Sequence, residues 1–140
     1  MVQRIKDAGI RLKINTVVHQ HNWQQDLNRF IDWAKPERWK VFQVLPVAGQ
    51  NDAHFWELAV TSEQYDAYLT RHSQQQSLVP ENNEAMTASY YMVDPAGRFF
   101  DNEQGHHRYS SPILEVGVKS AISEVAFEMN RFIARGGQYE

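Results

Sequence analysis

Two short apolar segments each carry a pair of polar side chains two residues apart. The first segment contains Lys13 and Asn15, and the second contains Arg38 and Lys40. Side chains two residues apart project from the same face of a β-strand, so each pair is predicted to share a face. Lysine and arginine side chains bind phosphate oxygens through charge-assisted hydrogen bonds. The pattern therefore predicts a binding site for an anion.

The two segments and the stretch between them predict a β-α-β unit. Residues 9–18 and 38–46 are rich in β-branched and apolar residues, as strands are. Residues 22–34 have apolar side chains at helical spacing, with Asn22 as the N-cap and Pro36 ending the helix. Strands joined in this way lie parallel, and parallel strands are normally apolar on both faces. The four polar residues therefore need a functional reason, and a bound anion is the simplest.

The remainder of the chain predicts short helices, a hairpin and loops. Thr61 and Gln64 form a capping-box pattern, which predicts a helix over residues 62–72. The turn sequence at 94–97 has Asp, Pro and Gly at the positions favoured in a type I turn, so it predicts a β-hairpin. The other predicted elements are the end of a helix at 1–8, strands at 78–80 and 113–116, a polar loop at 101–111 and a helix within 119–134.

Composition limits the class of protein. A chain of 140 residues with 42% hydrophobic content suits one globular domain or a piece of one. The net charge of -3 argues against bulk binding to nucleic acid. No run approaches the length of a membrane span or the apolar core of a signal peptide, so no membrane is expected and the cytoplasm is the default compartment. The absence of cysteine excludes disulfides, thiolate-held zinc and iron–sulfur ligands from this sequence.

Seven segments, in order over nearly the whole chain, carry a resemblance to a known family. They are Lys13 to Val18, Asn22 with Trp23, Arg38 to Gln43, Leu78 to Glu81, Ser89 with Tyr90, Ile113 to Val118 and Arg135 to Tyr139. Together they resemble the C-terminal half of viperin and its prokaryotic relatives. The resemblance implies an α/β fold, the C-terminal part of a partial (β/α) barrel with a C-terminal β-hairpin and helix extension. Residues 1–140 would be the C-terminal portion of a radical S-adenosylmethionine domain.

The family named by this resemblance dehydrates a nucleoside triphosphate, CTP or a similar nucleotide, to its 3′-deoxy-3′,4′-didehydro form in antiviral defence. Its cofactors are S-adenosylmethionine and a [4Fe–4S] cluster, and an electron donor is its partner. Three cysteines hold the cluster in the family, whereas this sequence has none. The resemblance therefore implies a truncated enzyme whose cluster-binding half is absent, so this segment alone is expected to be inactive.

The resemblance implies three groups of site residues. The first group binds the nucleotide and its triphosphate and consists of Lys13, Asn15, Arg38, Lys40, His107 and Arg135. The second group runs past the S-adenosylmethionine and consists of Phe42, Gln43, Val44 and Leu45. Tyr90 matches a tyrosine near the sugar that quenches a radical or donates a proton. No residue is assigned to a metal. By analogy with other barrels, the triphosphate is expected at the C-terminal ends of the strands.

Several simpler interpretations of these residues stay open. Lys13 and Lys40 could reach from strand ends into water, and Arg38 could pair with a nearby carboxylate. His19 and His21 have the spacing of a zinc-binding pair, but no third ligand is evident nearby.

Two other functions remain as alternatives. A stand-alone nucleotide-binding or interaction module without catalysis predicts a complete reading frame from Met1, whereas truncation predicts upstream coding sequence with three cysteines. A phosphoryl-transfer domain requires paired carboxylates beside the cations to hold a metal, and no such pair sits at the relevant strand ends. In either form, an uncovered sheet edge favours self-association or low stability of the isolated segment.

Overall fold

The computed structural model describes residues 1–137, and Gln138 and Tyr139 of the last resembling segment lie outside the described residues. The protein is mixed α/β, with one parallel and one antiparallel sheet. In chain order the elements are α1 Val2–Asp7, β1 Lys13–Val18, α2 Asn28–Ala34, β2 Arg38–Gln43, α3 Asp52–Leu58, α4 Ser62–Arg71, β3 Leu78–Glu81, α5 Asn83–Met86, β4 Met92–Val93, β5 Arg98–Asp101, β6 Arg108–Pro112, α6 Ile113–Val116, α7 Val118–Ser123 and α8 Met129–Ala134.

The chain divides into two compact units. The first consists of Met1–Val44 with Glu57–Asn82, and the second consists of Leu45–Trp56 with Asn83–Glu140. The parallel sheet lies in the first unit, and the antiparallel sheet lies in the second. None of the helices in residues 1–137 combines the length and the apolar composition that a membrane-spanning helix needs.

The first unit is built on a three-stranded parallel sheet in the order β1-β2-β3. The side chains of one face pack against α2 and α4 to form the core. Because apolar residues alternate along each strand, this face removes them from water while the other face stays available for polar groups. The buried members of the core are Val18, Ile31, Trp39, Val41, Tyr65 and Tyr68. The β-α-β unit with parallel strands is therefore confirmed.

Helix α2 is shorter than predicted, and Asn22 is not its N-cap. The Asn22 side chain closes a turn, accepting a hydrogen bond from the His19 amide at 2.8 Å and donating one to the Val17 carbonyl at 2.9 Å. The helix begins at Asn28, after the Leu27 amide has donated to His72 Nε2. Apolar spacing alone did not reveal that a distant histidine accepts the amide of the residue that precedes the helix.

The prediction of a loop at 101–111 and a strand at 113–116 is wrong. The strand is β6, Arg108–Pro112, and the residues that follow it form the short helix α6. Leu114 is 99% exposed, so its side chain does not cover the sheet. The single helix predicted within 119–134 is divided into α7 and α8.

Three local predictions are confirmed by their hydrogen bonds. The capping box of α4 is complete, because the Thr61 hydroxyl accepts from the Gln64 amide and the Gln64 side chain accepts from the Thr61 amide. Strands β4 and β5 form the predicted antiparallel hairpin. Helix α1 ends before Gly9, whose positive φ of 68° suits a residue without a side chain.

A tyrosine hydroxyl bridges the two strands β2 and β3. Tyr65 Oη donates to the Val41 carbonyl at 2.6 Å and accepts from the Glu81 amide at 3.0 Å. Pro80 lies opposite Val41 in the register and has no amide hydrogen to donate. Burial raises the pKa of Tyr65 well above its usual range, against the opposing effect of the Glu81 amide, so the hydroxyl keeps its proton. The bridge therefore fixes the end of β3 against β2.

Substituting Tyr65→Phe removes this bridge and leaves a buried amide and a buried carbonyl without their partner. We expect the free energy of unfolding to fall by about 1–3 kcal/mol, as measured by urea denaturation. Tyr91 is 49% exposed, so Tyr91→Phe is the matched control and should change stability little. Equal stability of the Tyr65→Phe variant and the wild type would contradict the assigned role.

In the second unit, a buried aspartate joins the antiparallel sheet to the segment between α7 and α8. The Asp101 carboxylate accepts hydrogen bonds from the amides of Ala126 and Glu103. It also forms an ion pair with Arg108. Burial by itself raises the pKa of Asp101, but these hydrogen bonds outweigh burial and lower it overall. The ionised carboxylate is therefore the form that the fold stabilises.

The pKa of Asp101 predicts how stability depends on pH. Because the folded pKa lies below the unfolded value of about 3.9, the stabilisation is present above that value and is lost as the pH falls through the folded pKa. Asp101→Asn should cost about 1–3 kcal/mol at pH 7 and flatten the loss of stability below pH 4. Urea denaturation from pH 7 to pH 2.5 tests this, with the exposed Asp66→Asn as a control for net charge. Parallel pH profiles of wild type and Asp101→Asn would contradict it.

Candidate anion-binding site

The four polar residues singled out by their spacing lie on one face of the parallel sheet. The register pairs Lys13 with Arg38 and Asn15 with Lys40. Paired residues of neighbouring parallel strands point the same way, as do residues two apart in one strand. We call this surface the polar face; it is opposite to the face that packs against the core.

These residues lie at the amino-terminal half of the strands. Lys13 and Arg38 are the first residues of β1 and β2, and Asn15 and Lys40 are the third. The expectation that a phosphate would lie at the carboxyl ends of the strands is therefore not met by this group. Any anion held by it would lie along the face from its amino-terminal edge.

The exposed side chains of the polar face lie on β1. Lys13 and Asn15 are exposed, Arg38 is partly buried, and Val17 of the same face is 49% exposed. Two long cationic side chains beside an amide can donate several hydrogen bonds to phosphate oxygens. This part of the face therefore has the chemistry that anion binding requires.

Lys40 differs from the other three because it is buried in an ion pair. Its Nζ contacts Glu81 Oε1, and the two side chains are 3% and 0% exposed. Glu81 pairs with Phe42 in the register and so lies on the same face as Lys40. The Lys40 ammonium also lies 5.7 Å from the centre of the Phe42 ring. The pair places a negative charge inside a cluster that sequence analysis treated as purely cationic.

The four residues expected to run past S-adenosylmethionine occupy different environments. Phe42 is partly buried on the polar face. Gln43 is buried on the opposite face, where its Nε2 donates to the Val60 carbonyl at 3.4 Å. The Val44 amide donates to the Val18 carbonyl. Leu45 belongs to the second unit, where its carbonyl accepts a hydrogen bond from the Asn51 side chain. Phe42 therefore shares the polar face, whereas Gln43 does not.

In the second unit, Arg135 and Tyr90 are in direct contact. The Arg135 guanidinium lies 3.8 Å from the centre of the Tyr90 ring and 5.1 Å from that of Phe132. Its Nη2 donates to the Ser89 carbonyl at 2.7 Å, and the residue is 6% exposed. Cation–π contact and burial together hold the guanidinium on this ring.

His107, the remaining substrate-binding prediction, lies in an aromatic group before β6. Its ring lies 4.7 Å from that of Phe100, and its Nδ1 lies 3.5 Å from Tyr109 Oη. The ring is partly buried. The roles predicted for His107, Tyr90 and Arg135 stay predictions.

Sequence reasoning missed Glu81 as a member of the polar face. Val79 and Glu81 are two apart at the end of an apolar strand, which is the same spacing that drew attention to Lys13 and Asn15. Val79 is apolar, so β3 has no pair of polar side chains of the kind that identified Lys13 and Asn15. The pairing of Glu81 with Lys40 depends on the strand order, which the sequence did not provide.

The described residues do not assemble a metal site. In residues 1–137 there is no group of three or more His, Cys, Asp or Glu side chains that could hold a metal ion. His19 and His21 have ring centres 5.7 Å apart, and His19 Nδ1 accepts a hydrogen bond from the His21 amide. The chain has no cysteine, so its donor atoms do not suit an iron–sulfur cluster.

Curated relatives match almost the whole chain. It is 51% identical over 140 residues to a protein of Flammeovirga pacifica and 48% identical over 139 residues to one of Lacinutrix mariniflava, both named S-adenosylmethionine-dependent nucleotide dehydratase. It is 36% identical over 139 residues to S-adenosylmethionine-dependent nucleotide dehydratase RSAD2 of Danio rerio. These matches cover 100%, 99% and 96% of this chain. A scan against models of known protein families finds no match.

The resemblance to the viperin-like nucleotide dehydratases is confirmed. The chain covers 48%, 29% and 39% of the three relatives, so it spans less than half of their length. The polar face therefore belongs to a viperin-like sequence. The relatives are longer than this chain.

The buried ion pair of this viperin-like chain predicts a distinct pattern of stability. Lys40→Ala removes the ammonium that the buried Glu81 carboxylate contacts, which should cost about 3–5 kcal/mol. Replacing both residues with apolar ones in Lys40→Met/Glu81→Leu should restore most of that loss, because both charges of the pair are then removed. Urea denaturation of the two variants measures the difference, and a double variant no more stable than Lys40→Ala would contradict it.

Proposed function

We propose that this chain is the nucleotide-binding portion of a viperin-like radical S-adenosylmethionine enzyme. The enzyme would dehydrate CTP or a similar nucleoside triphosphate to its 3′-deoxy-3′,4′-didehydro form in antiviral defence. The chain would form the C-terminal part of a partial (β/α) barrel, and the cluster cysteines would be supplied outside this sequence. The observation that carries the proposal is the shared polar face of β1 and β2, in a chain similar throughout to proteins named as nucleotide dehydratases.

The polar face has the charge to attract a polyphosphate. A triphosphate brings roughly four negative charges, and a hydrogen bond to a charged group contributes about 1.5–3 kcal/mol. Lys13, Arg38 and Lys40 bring three positive charges, and Glu81 brings one negative charge. The face is therefore cationic overall, although the chain as a whole carries a net charge of -3.

The side chains of the polar face differ in exposure to solvent, and they would therefore contact different parts of the nucleotide. Lys13 is exposed and Arg38 partly buried, so they would donate to the outer phosphates. The Asn15 amide would donate to a phosphate or to the nucleoside. Lys40, held by Glu81, would contact the ligand from the floor of the face. These four contributions to nucleotide binding would thus come from the strands β1 and β2.

The second group of proposed residues would serve other parts of the reaction. S-adenosylmethionine, when bound with the cluster in the complete enzyme, supplies the radical chemistry. Phe42 presents an aromatic ring on the polar face, which suits contact with a flat group. Tyr90 would quench a radical or donate a proton, and the guanidinium over its ring would influence that step. His107 and Arg135 would add phosphate contacts, and an electron donor would be the protein partner.

Nucleotide binding can be tested on this chain without the cluster. A ligand that binds only the folded state at 100 times its Kd stabilises it by about 2.7 kcal/mol, which raises Tm by several degrees at this size. We expect CTP or UTP to produce such a shift. Lys13→Ala should weaken binding by about tenfold to a hundredfold, because one charge-assisted contact is lost. Thermal denaturation and titration calorimetry give the two values.

Lys119→Ala is the matched control for this measurement. Lys119 is exposed on α7, in the second unit, and carries the same charge as Lys13. Because both substitutions remove one exposed ammonium, a general effect of net charge would appear in both. Identical nucleotide affinity in the two variants would reject the polar face as the binding site.

A further inference from the structure

Three consecutive backbone carbonyls lead to Tyr90, and each accepts a hydrogen bond from α8 or a residue that flanks it. The acceptors and donors are the Thr87 carbonyl and Arg131 Nη1 at 3.2 Å, the Ala88 carbonyl and the Glu128 amide at 2.7 Å, and the Ser89 carbonyl and Arg135 Nη2 at 2.7 Å. The donors are three and four residues apart in sequence, so they lie on one side of the helix. The backbone that carries Tyr90 is therefore fixed against α8.

Ala88, in the middle of this segment, has a backbone conformation that alanine rarely adopts. Its φ is 52°, and the residue is 1% exposed. Its amide donates to Asn102 Oδ1 at 3.0 Å, so both of its backbone polar groups have partners. A left-handed conformation in a residue other than glycine persists only where the surroundings impose it, and such residues are concentrated at functional sites. The fold therefore specifies the position of the chain just before Tyr90.

The Arg135 side chain restrains the Tyr90 ring as well as the backbone. Its guanidinium lies 3.8 Å from the centre of that ring and 5.1 Å from the centre of the Phe132 ring. Gly137 packs so closely on Phe132 that a Cβ there would clash with the ring. A cation over an aromatic face is attracted to it, and the attraction is stronger where water is excluded. Arg135 therefore restrains the orientation of the Tyr90 ring.

The same contacts make Arg135 poorly suited to bind phosphate. Arginine binds a phosphate group best through two N–H groups in the plane of the guanidinium. Here the residue is 6% exposed, and Nη2 donates to the Ser89 carbonyl. A phosphate would have to enter a buried position and compete with that carbonyl. The geometry thus favours a role for Arg135 behind Tyr90.

We propose that Arg135 is a positioning residue: it holds the Tyr90 ring in the orientation that the reaction needs, and it does not bind the triphosphate. This role rests on the proposed function, in which Tyr90 takes part in the reaction. It is an alternative to the phosphate contact considered above for Arg135, and the two roles predict different results.

The first test records fluorine NMR spectra of the full chain labelled with 3-fluorotyrosine. The chain has six tyrosines, and the Tyr90 signal is the one that disappears in Tyr90→Phe. We expect Arg135→Gln to move this signal by more than its line width, because the ring loses its cation. Arg135→Lys retains a cation and should move the signal less. A merely stabilising role of Arg135 would leave the signal of the folded protein in place.

Arg98→Gln is the matched control, because Arg98 also lies over a tyrosine ring. Its guanidinium is 4.4 Å from the centre of the Tyr109 ring and pairs with Asp94. The substitution should move the Tyr109 signal, which Tyr109→Phe identifies, and leave the Tyr90 signal unchanged. Far-ultraviolet circular dichroism of each variant confirms that the compared proteins are folded.

The second test measures CTP affinity by titration calorimetry in a double-mutant cycle. In the Tyr90→Leu protein the ring that Arg135 positions is absent. Adding Arg135→Gln to that variant should therefore lower CTP affinity by less than about threefold. A direct contact between Arg135 and phosphate would be lost in either background, and its loss would cost about tenfold or more.

The outcomes separate this role of Arg135 from the proposed function. A Tyr90 signal that stays in place in Arg135→Gln, or that moves equally in Arg98→Gln, overturns the positioning role. A tenfold loss of CTP affinity on adding Arg135→Gln to Tyr90→Leu also overturns it, and nucleotide binding then stands. If the fluorine signals move as expected but the wild type does not bind CTP, the positioning of Tyr90 is supported and the nucleotide function falls.

Discussion

The central constraint on the first unit is the need to compensate a buried lysine in the middle strand of a parallel sheet. Lys40 lies between two neighbouring strands, and its side chain is almost inaccessible to water. A charge in that position costs several kcal/mol unless an opposite charge with good geometry accompanies it. Glu81 provides that charge from β3, and the Tyr65 bridge fixes the strand from which it comes. The polar face therefore depends on all three strands, although only two of them carry cations.

Much of the candidate site could be predicted from the sequence because strand periodicity is a local property. Lys13 with Asn15, and Arg38 with Lys40, share a face as soon as their segments are strands. The intervening helix made the strands parallel, and the structure confirms this arrangement. The capping box and the β-hairpin followed from residues that are close in sequence. Strand periodicity, chain connectivity and local hydrogen bonds therefore account for the successful predictions.

The errors arose where distant residues decide local structure. Helix α2 begins late because His72, which ends α4, accepts the amide of Leu27, and because Asn22 closes an earlier turn. The run Ile113–Val116 has the composition of a strand, yet strand pairing ends at Pro112, opposite Arg98. The same limit applies to Glu81, whose role depends on the order of strands in the sheet. Spacing identified the polar side chains, but only tertiary structure identified their partners.

The two faces of the parallel sheet also bear on the proposed barrel. A parallel sheet that is covered by helices on both sides is normally apolar on both faces, because both faces are buried. Here one face packs Val18, Trp39 and Val41 into the core, and the other carries Lys13, Asn15 and the ion pair. Ligand-binding clefts combine a mainly apolar lining with a small number of placed polar groups. The asymmetry of this sheet therefore supports a ligand-facing inner surface, which a scaffold role would not require.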